Sequence, residues 1–261
     1  MQAPFTPLLA NALSFALEKA TIEGKLTIAL LVILSLFSWT VIITKARQLY
    51  RARMMAGRFF TAYRATRDPL EIFNKNDEYP GAPAYEVYFT GAEELVYHLK
   101  HNPVTVGQKT RISPASFDSV KVALERAVSA QSLGLEKGMI ILSTAVAGGP
   151  FIGLLGTVWG VMETFSGIAK VQAASLTAMA PGVAGALIAT VVGLFVAIPA
   201  MFAYNYMVTT IRAITQELDN FAAEYVTGIE HTYVDNRSIS EELVDALVQL
   251  RAREAGEPVL A

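Results

Sequence analysis

Cysteine is absent from the 261 residues and charge is scarce: Asp, Glu, Lys and Arg make up 17% of the chain, against 53% apolar residues. Without thiols a disulfide-stapled secreted module is excluded. The near balance of 21 basic and 23 acidic residues excludes an electrostatic nucleic-acid binder, and the apolar content excludes a disordered chain. Soluble domains carry about 25% charged residues, and here the deficit is local. Leu26 to Thr44 passes without a charge, and between Gly138 and Ile211 only Glu163 and Lys170 interrupt the apolar run.

At about 1.5 Å per residue, 26–44 reaches roughly 28 Å as a helix, close to the ~30 Å hydrocarbon thickness of a bilayer. The longer run divides at the polar residues around Lys170, ahead of Pro181. The predicted fold is an all-α membrane protein with three transmembrane helices, at 26–44, 139–163 and 183–207. Trp39, Trp159, Tyr204 and Tyr206 suit interfacial anchors. Lys45, Arg47, Arg51, Arg53, Arg58, Arg64 and Arg67 follow the first span with no acid before Asp68. By the positive-inside rule the N-terminus is outside and the C-terminus cytoplasmic. Residues 1–25 then form an outer segment holding a short amphipathic helix at Leu8–Leu17, with no cleavable signal peptide expected. A cytoplasmic helical insert covers 45–138, an outer connection 164–182, and a cytoplasmic helical tail 208–261.

Within the insert, Pro80, Gly81 and Pro83 mark a loop, and Ser113 followed by Pro114 marks a helix start. Phe117, Val120, Leu124, Val128 and Leu135 then recur at helical spacing, with a helix expected to run straight into the second span. Past the third span, Ile211, Ile214, Leu218, Phe221 and Tyr225 form a narrow stripe. It suits packing against neighbouring subunits or against the chain's own helices, and pattern alone leaves both open. One more helix is predicted at Ser240–Arg253.

Small residues are spaced along one side of each later span: Ala145, Gly149, Gly153, Gly156, Gly160 and Thr164 in the second, Gly182, Ala186, Ala189, Gly193, Ala197 and Ala200 in the third. That spacing lets helix backbones approach closely, because association in lipid relies on van der Waals contact. Two hydroxyls, Thr157 and Thr190, lie within these spans. The ordinary use of such a hydroxyl is a bond to the carbonyl one turn earlier, and the functional alternative is a hydrated path. Pro150 and Pro199 each leave a carbonyl without its donor. The third span has no ionisable residue and the second only Glu163 at its outer end. Any proton carried here needs an acid from elsewhere.

No G-x-S-x-G, H-E-x-x-H or Walker sequence occurs, so no catalytic residue, cofactor or enzyme activity is expected. His98 and His101, three apart, lack a third ligand and read as a solvated surface with no metal site.

The run Gly153-Leu-Leu-Gly-Thr-Val-Trp-Gly-Val-Met162, the run Ala180-Pro-Gly-Val-Ala-Gly-Ala-Leu-Ile-Ala-Thr-Val-Val-Gly-Leu-Phe-Val-Ala-Ile-Pro199 and Tyr204-Asn205 resemble the MotA/TolQ/ExbB proton channel family, on its ExbB/TolQ side. The resemblance is specific over about 139–207. It implies a multi-pass protein of the bacterial inner membrane, forming a homopentamer around the single helices of an ExbD/TolR-like partner that supplies a membrane aspartate. Coupling to a TonB- or TolA-like protein would follow, for outer-membrane transport or maintenance. It places Thr157 and Thr190 at the pore-lining threonines, with Gly149, Gly153, Gly156, Gly160, Gly182, Gly185, Gly193 and Pro199 packing helices around the pore. Close relatives carry a glutamate in the run A-E-A-L where this chain has Ala184-Gly185-Ala186, so that acid is absent and its role is not carried over. The alternatives are the stator of another motor, flagellar or gliding, and a stand-alone small-solute channel.

Overall fold

The computed structural model describes residues 22–106, 109–171 and 176–235. In chain order they form α1 (Ile22–Arg64), α2 (Glu71–Lys75), α3 (Pro83–His101), β1 (Pro103–Val106), β2 (Lys109–Ile112), α4 (Pro114–Glu136), α5 (Met139–Val171) and α6 (Leu176–Tyr233). The helices predicted at Leu8–Leu17 and Ser240–Arg253 lie outside the described residues. Two compact units result, one taking residues up to Leu49 with Glu136–Ile211, the other Tyr50–Leu135 with the chain from Arg212 onward.

In the first unit, α1, α5 and α6 are each long and apolar enough to cross a membrane. Size is sorted in reverse of a soluble core. Ala145, Ala186, Ala189, Ala197 and Ala200 are buried, whereas Leu26, Leu36, Phe37, Phe151, Val158, Leu187, Phe195 and Phe202 stand out, more than half exposed. An apolar sheath of this extent is untenable against water and neutral against lipid. The chain is therefore a membrane protein.

The helices outrun the predicted spans. α1 continues to Arg64, α5 reaches Val171 and α6 begins at Leu176, so helix extends from both sides into the stretch 164–182. Polar residues such as Arg47, Glu163 and Ser166 end a stretch suited to lipid without ending a helix, since each is tolerated in one. The expected continuous helix into the second span is corrected at Gly138. Its φ of +88° lies in the left-handed region that glycine enters without strain, and α4 stops at Glu136 before α5 starts.

The second unit is built on an aromatic core. Phe59 and Tyr63 of α1, Tyr88 of α3, and Phe221 and Tyr225 of α6 are all buried. Ring centroids lie 5.3 Å apart for Phe59–Phe221, 5.2 Å for Tyr63–Phe221 and 5.0 Å for Tyr88–Tyr225. A side chain at Gly91 would collide with Leu124 and stand 3.0 Å from the Tyr225 ring, so a glycine there lets α3 close on the cluster. Every residue of the two predicted stripes, Phe117 to Leu135 and Ile211 to Tyr225, is buried within this one chain. The choice that pattern left open is thereby settled in favour of the chain's own helices. The expected start signal at Ser113-Pro114 holds as well: Pro114 opens a helix, and the Ser116 amide donates to Ser113 Oγ at 3.2 Å, whereas Pro83, expected in a loop, is the first residue of α3.

An all-α fold misses one element. β1 and β2 form an antiparallel hairpin, with Val104 opposite Arg111 and Thr105 opposite Thr110. β2 also receives the end of α6: Val234 bridges to Ile112 in parallel, and the Asp235 amide donates to the Ile112 carbonyl at 3.1 Å.

Burial pushes the Tyr63 hydroxyl up to about 12 and raises those of Tyr88 and Tyr225 as well. These tyrosines stay protonated throughout the physiological range, so the cluster is uncharged. Tyr88 Oη accepts from the Phe73 amide at 2.9 Å, but the Tyr225 hydroxyl has no partner among the described residues. Leaving such a group unpaired costs about 1–3 kcal/mol. Tyr225→Phe is therefore expected to keep or raise the thermal midpoint in detergent, while Tyr225→Ala removes about 3–5 kcal/mol. A clear loss on Tyr225→Phe would show that the hydroxyl is bonded.

Candidate functional site

The small residues of α5 and α6 face one another. A methyl built on Gly149 would stand 3.1 Å from the Gly193 carbonyl oxygen, and one on Gly153 would stand 2.8 Å from that of Ala189 and 3.0 Å from the Thr190 Cα. The reverse holds at Gly193, whose methyl would meet the Gly149 carbonyl at 2.6 Å. Farther along, a methyl built on Gly160 would stand 2.7 Å from the Ala186 Cβ, and one on Gly182 would collide with the Thr164 hydroxyl. At Gly149, Gly153 and Gly193 the helices therefore touch backbone to backbone along a seam, with no room for a side chain at those three positions. Gly156 adds the third helix, since a methyl there would lie 2.6 Å from the Ala189 Cβ and 2.8 Å from Thr27 Oγ1 of α1.

Thr157 and Thr190 meet inside this seam. Thr157 Oγ1 lies 3.1 Å from the Gly153 carbonyl oxygen, one turn earlier, as a helical threonine ordinarily does. Thr190 does not follow that pattern. Its Oγ1 crosses between helices to the same Gly153 oxygen at 3.2 Å and also contacts Thr157 Oγ1. Three close contacts share two hydroxyl protons, so one hydroxyl must accept while the other donates. Reversing which of them donates needs only rotation of two O–H bonds. Gly153 makes this possible, because any side chain at that position would hold Thr190 away. Both threonines are half-buried.

Carboxylates are missing from this interior. The acids in the described part of the unit are Glu23, Glu136 and Glu163, and none is buried. Gly185 is buried one residue before Ala186, so α6 carries no acid at that level. Pro199 lies within α6, which runs through it unbroken, while the carbonyl four residues earlier loses its amide donor. The spacing of small residues in the sequence gave these positions a common face. It gave no sign that Thr190 would pair with Gly153.

The two histidines separate. His101 is exposed and its Nδ1 lies 2.9 Å from the Tyr97 carbonyl oxygen, as expected of a surface residue. His98 corrects the expectation: it is buried, with Nε2 3.3 Å from Glu94 Oε1 and Nδ1 3.2 Å from Asn102 Nδ2. It lies on the buried face of α3 with Val87, Tyr88, Gly91 and Leu95, a position that periodicity on α3 would have revealed. Among the described residues no three His, Asp or Glu side chains cluster as metal ligands.

A profile of the MotA/TolQ/ExbB proton channel family matches residues 97–220. The Tol-Pal system protein TolQ of Haemophilus influenzae is 33% identical over 213 residues, which cover 80% of this chain and 90% of that protein. The biopolymer transport protein ExbB of Xanthomonas campestris is 33% identical over 193 residues, 74% of this chain and 76% of its own length. TolQ of Pseudomonas aeruginosa is 31% identical over 212 residues, covering 80% and 88%. On the strength of these matches across most of its length, the chain belongs to the MotA/TolQ/ExbB proton channel family.

Proposed function

We propose that this chain is a TolQ/ExbB-type subunit that uses the proton-motive force to energise a TonB- or TolA-like protein, as a homopentamer around the helices of an ExbD/TolR-like partner. The observation that carries this reading is the pairing of Thr157 and Thr190 on the Gly153 carbonyl in an interior with no buried carboxylate among the described residues. Hydroxyls can pass a proton along by accepting one and releasing another, but they do not hold one at neutral pH. A carboxylate whose affinity for the proton is raised by burial in the membrane does, and in this reading it is the partner's aspartate. The seam of Gly149, Gly153, Gly156, Gly160, Gly182 and Gly193 fixes the hydroxyls in place, with Gly185 and Pro199 on the same helix pair. The arginine-rich continuation of α1, which bears exposed Arg47, Arg51, Arg53 and Arg58, supports a cytoplasmic location for residues 45–138 and 208–261 and an outside N-terminus, in the inner membrane.

Vesicles test this directly. With an imposed pH gradient, proton uptake is expected when the chain is reconstituted with an ExbD/TolR-like one-span protein, and background uptake when it is alone. Native mass measurement of the co-purified complex is expected to give five copies of this chain. Equal uptake with and without the partner would overturn the division of labour.

A further inference from the structure

The end of α6 is held in place. Beyond the Val234 and Asp235 contacts to Ile112, Arg111 Nη1 donates to the Val234 carbonyl at 3.3 Å. Residues 236–261 therefore set out from beside β2 and the start of α4. Ile112 meets Val234, while Leu124 and Tyr225 both crowd Gly91, so α4 and α6 run antiparallel here. Between them lies a groove of about 400 Å³. Leu124 and Val128 form its buried floor, Ala222 and Val226 its wall, and Lys121, Glu125 and Asp219 its rim. Lys121 and Val226 mark the end near Ile112, Asp219 the far end.

We propose that the groove seats the chain's own C-terminal segment, Ser240–Arg253, folded back antiparallel to α6. Three features of the sequence fit it. Leu243, Leu247 and Leu250 share one face at helical spacing, and as a helix Leu243 to Leu250 spans about 10.5 Å, the same length as Asp219 to Val226 on α6. The four residues 236–239 reach at most about 14 Å when extended, enough for the ~10.5 Å from Pro114 to Lys121 along α4. Charge fixes the direction: the segment opens with Glu241 and Glu242, at the end where Lys121 stands, and closes with Arg251 and Arg253, at the end where Asp219 stands. Lys121 shares Asp118 at 3.2 Å and keeps further donors for a second carboxylate.

The groove on the other side of α6 fits worse. Its far end holds Arg53 together with Glu217 and so offers Arg251 and Arg253 no unopposed acid, and its near end is closed by the Arg64–Glu224 ion pair at 3.2 Å.

The absence of cysteine makes the test clean. Val226→Cys with Leu243→Cys, oxidised in native membranes, brings its Cα atoms within the disulfide range of about 4.4–6.8 Å and is expected to give roughly ten times the intrachain product of Val226→Cys with Asp245→Cys, on the opposite face. Equal yields from the two pairs would overturn the proposal. So would a disulfide that joins two chains, which would assign the groove to a second copy. Should the first pair fail to accumulate, Asp219→Cys with Leu250→Cys, set against Asp219→Cys with Ala252→Cys, probes the far end of the same groove. There too an excess of intrachain product from the leucine pair supports the docked segment, and equal yields or an interchain disulfide overturn it.

Discussion

Adding one methyl at Gly153 is expected to lower the thermal midpoint of the purified protein markedly, while the same methyl at Gly167 leaves it unchanged or raises it. Intrinsic helix preference favours alanine over glycine by about 1 kcal/mol at either place. Gly167 feels only that preference, because a methyl there meets nothing within 4 Å. At Gly153 the methyl would meet the Ala189 carbonyl oxygen at 2.8 Å, the Thr190 Cα at 3.0 Å and the Gly193 Cα at 3.3 Å. All three are backbone atoms, so no rotamer change relieves the crowding and the helices must move apart. Overpacking of this kind costs typically about 1–3 kcal/mol. It also pulls Thr190 from the Gly153 carbonyl, so proton-driven activity is expected to fall beyond the loss of folded protein. Thermal unfolding of Gly153→Ala and Gly167→Ala in one detergent makes the comparison; equal midpoints would mean that the seam is looser than its distances.

Much of the membrane unit was legible because lipid imposes a strict rule. Long uncharged runs gave three crossing helices, and small residues every three or four positions gave the faces that meet. Helix ends were less legible, since Glu163 and Arg47 mark where lipid ends and place no stop on hydrogen bonding along the backbone. Gly138 was visible as a glycine but not as a left-handed one. The hairpin left a faint trace: Val104-Thr105-Val106 and Lys109-Thr110-Arg111-Ile112 are short β-branched runs two residues apart. Four residues per strand between two long helices fall below what periodicity detects. Tyr63, Tyr88 and Tyr225 come from three helices far apart in sequence, so their common core depends on tertiary packing alone. The same holds at the candidate site. Thr157 and Thr190 could each be marked as a polar group in an apolar span, but their shared acceptor exists only once Gly153 has let α6 approach.

Valine and serine substitutions at these two threonines separate a proton path from simple packing. Valine keeps the shape and removes the hydroxyl; serine keeps the hydroxyl and removes a methyl. If the pair passes protons, Thr157→Val and Thr190→Val are expected to reduce partner-dependent proton uptake about tenfold or more, the effect of ~1.4 kcal/mol on a barrier, with assembly intact. Thr157→Ser and Thr190→Ser then retain most of the activity. Packing alone predicts the opposite order, since serine leaves a gap where valine does not. The double valine variant adds a sharper criterion. Two hydroxyls that hand a proton from one to the other beside a single shared acceptor work as a unit, so removing both should cost little more than removing either. Independent packing contributions would instead add, and a double variant whose loss equals the product of the two single losses would argue against the relay.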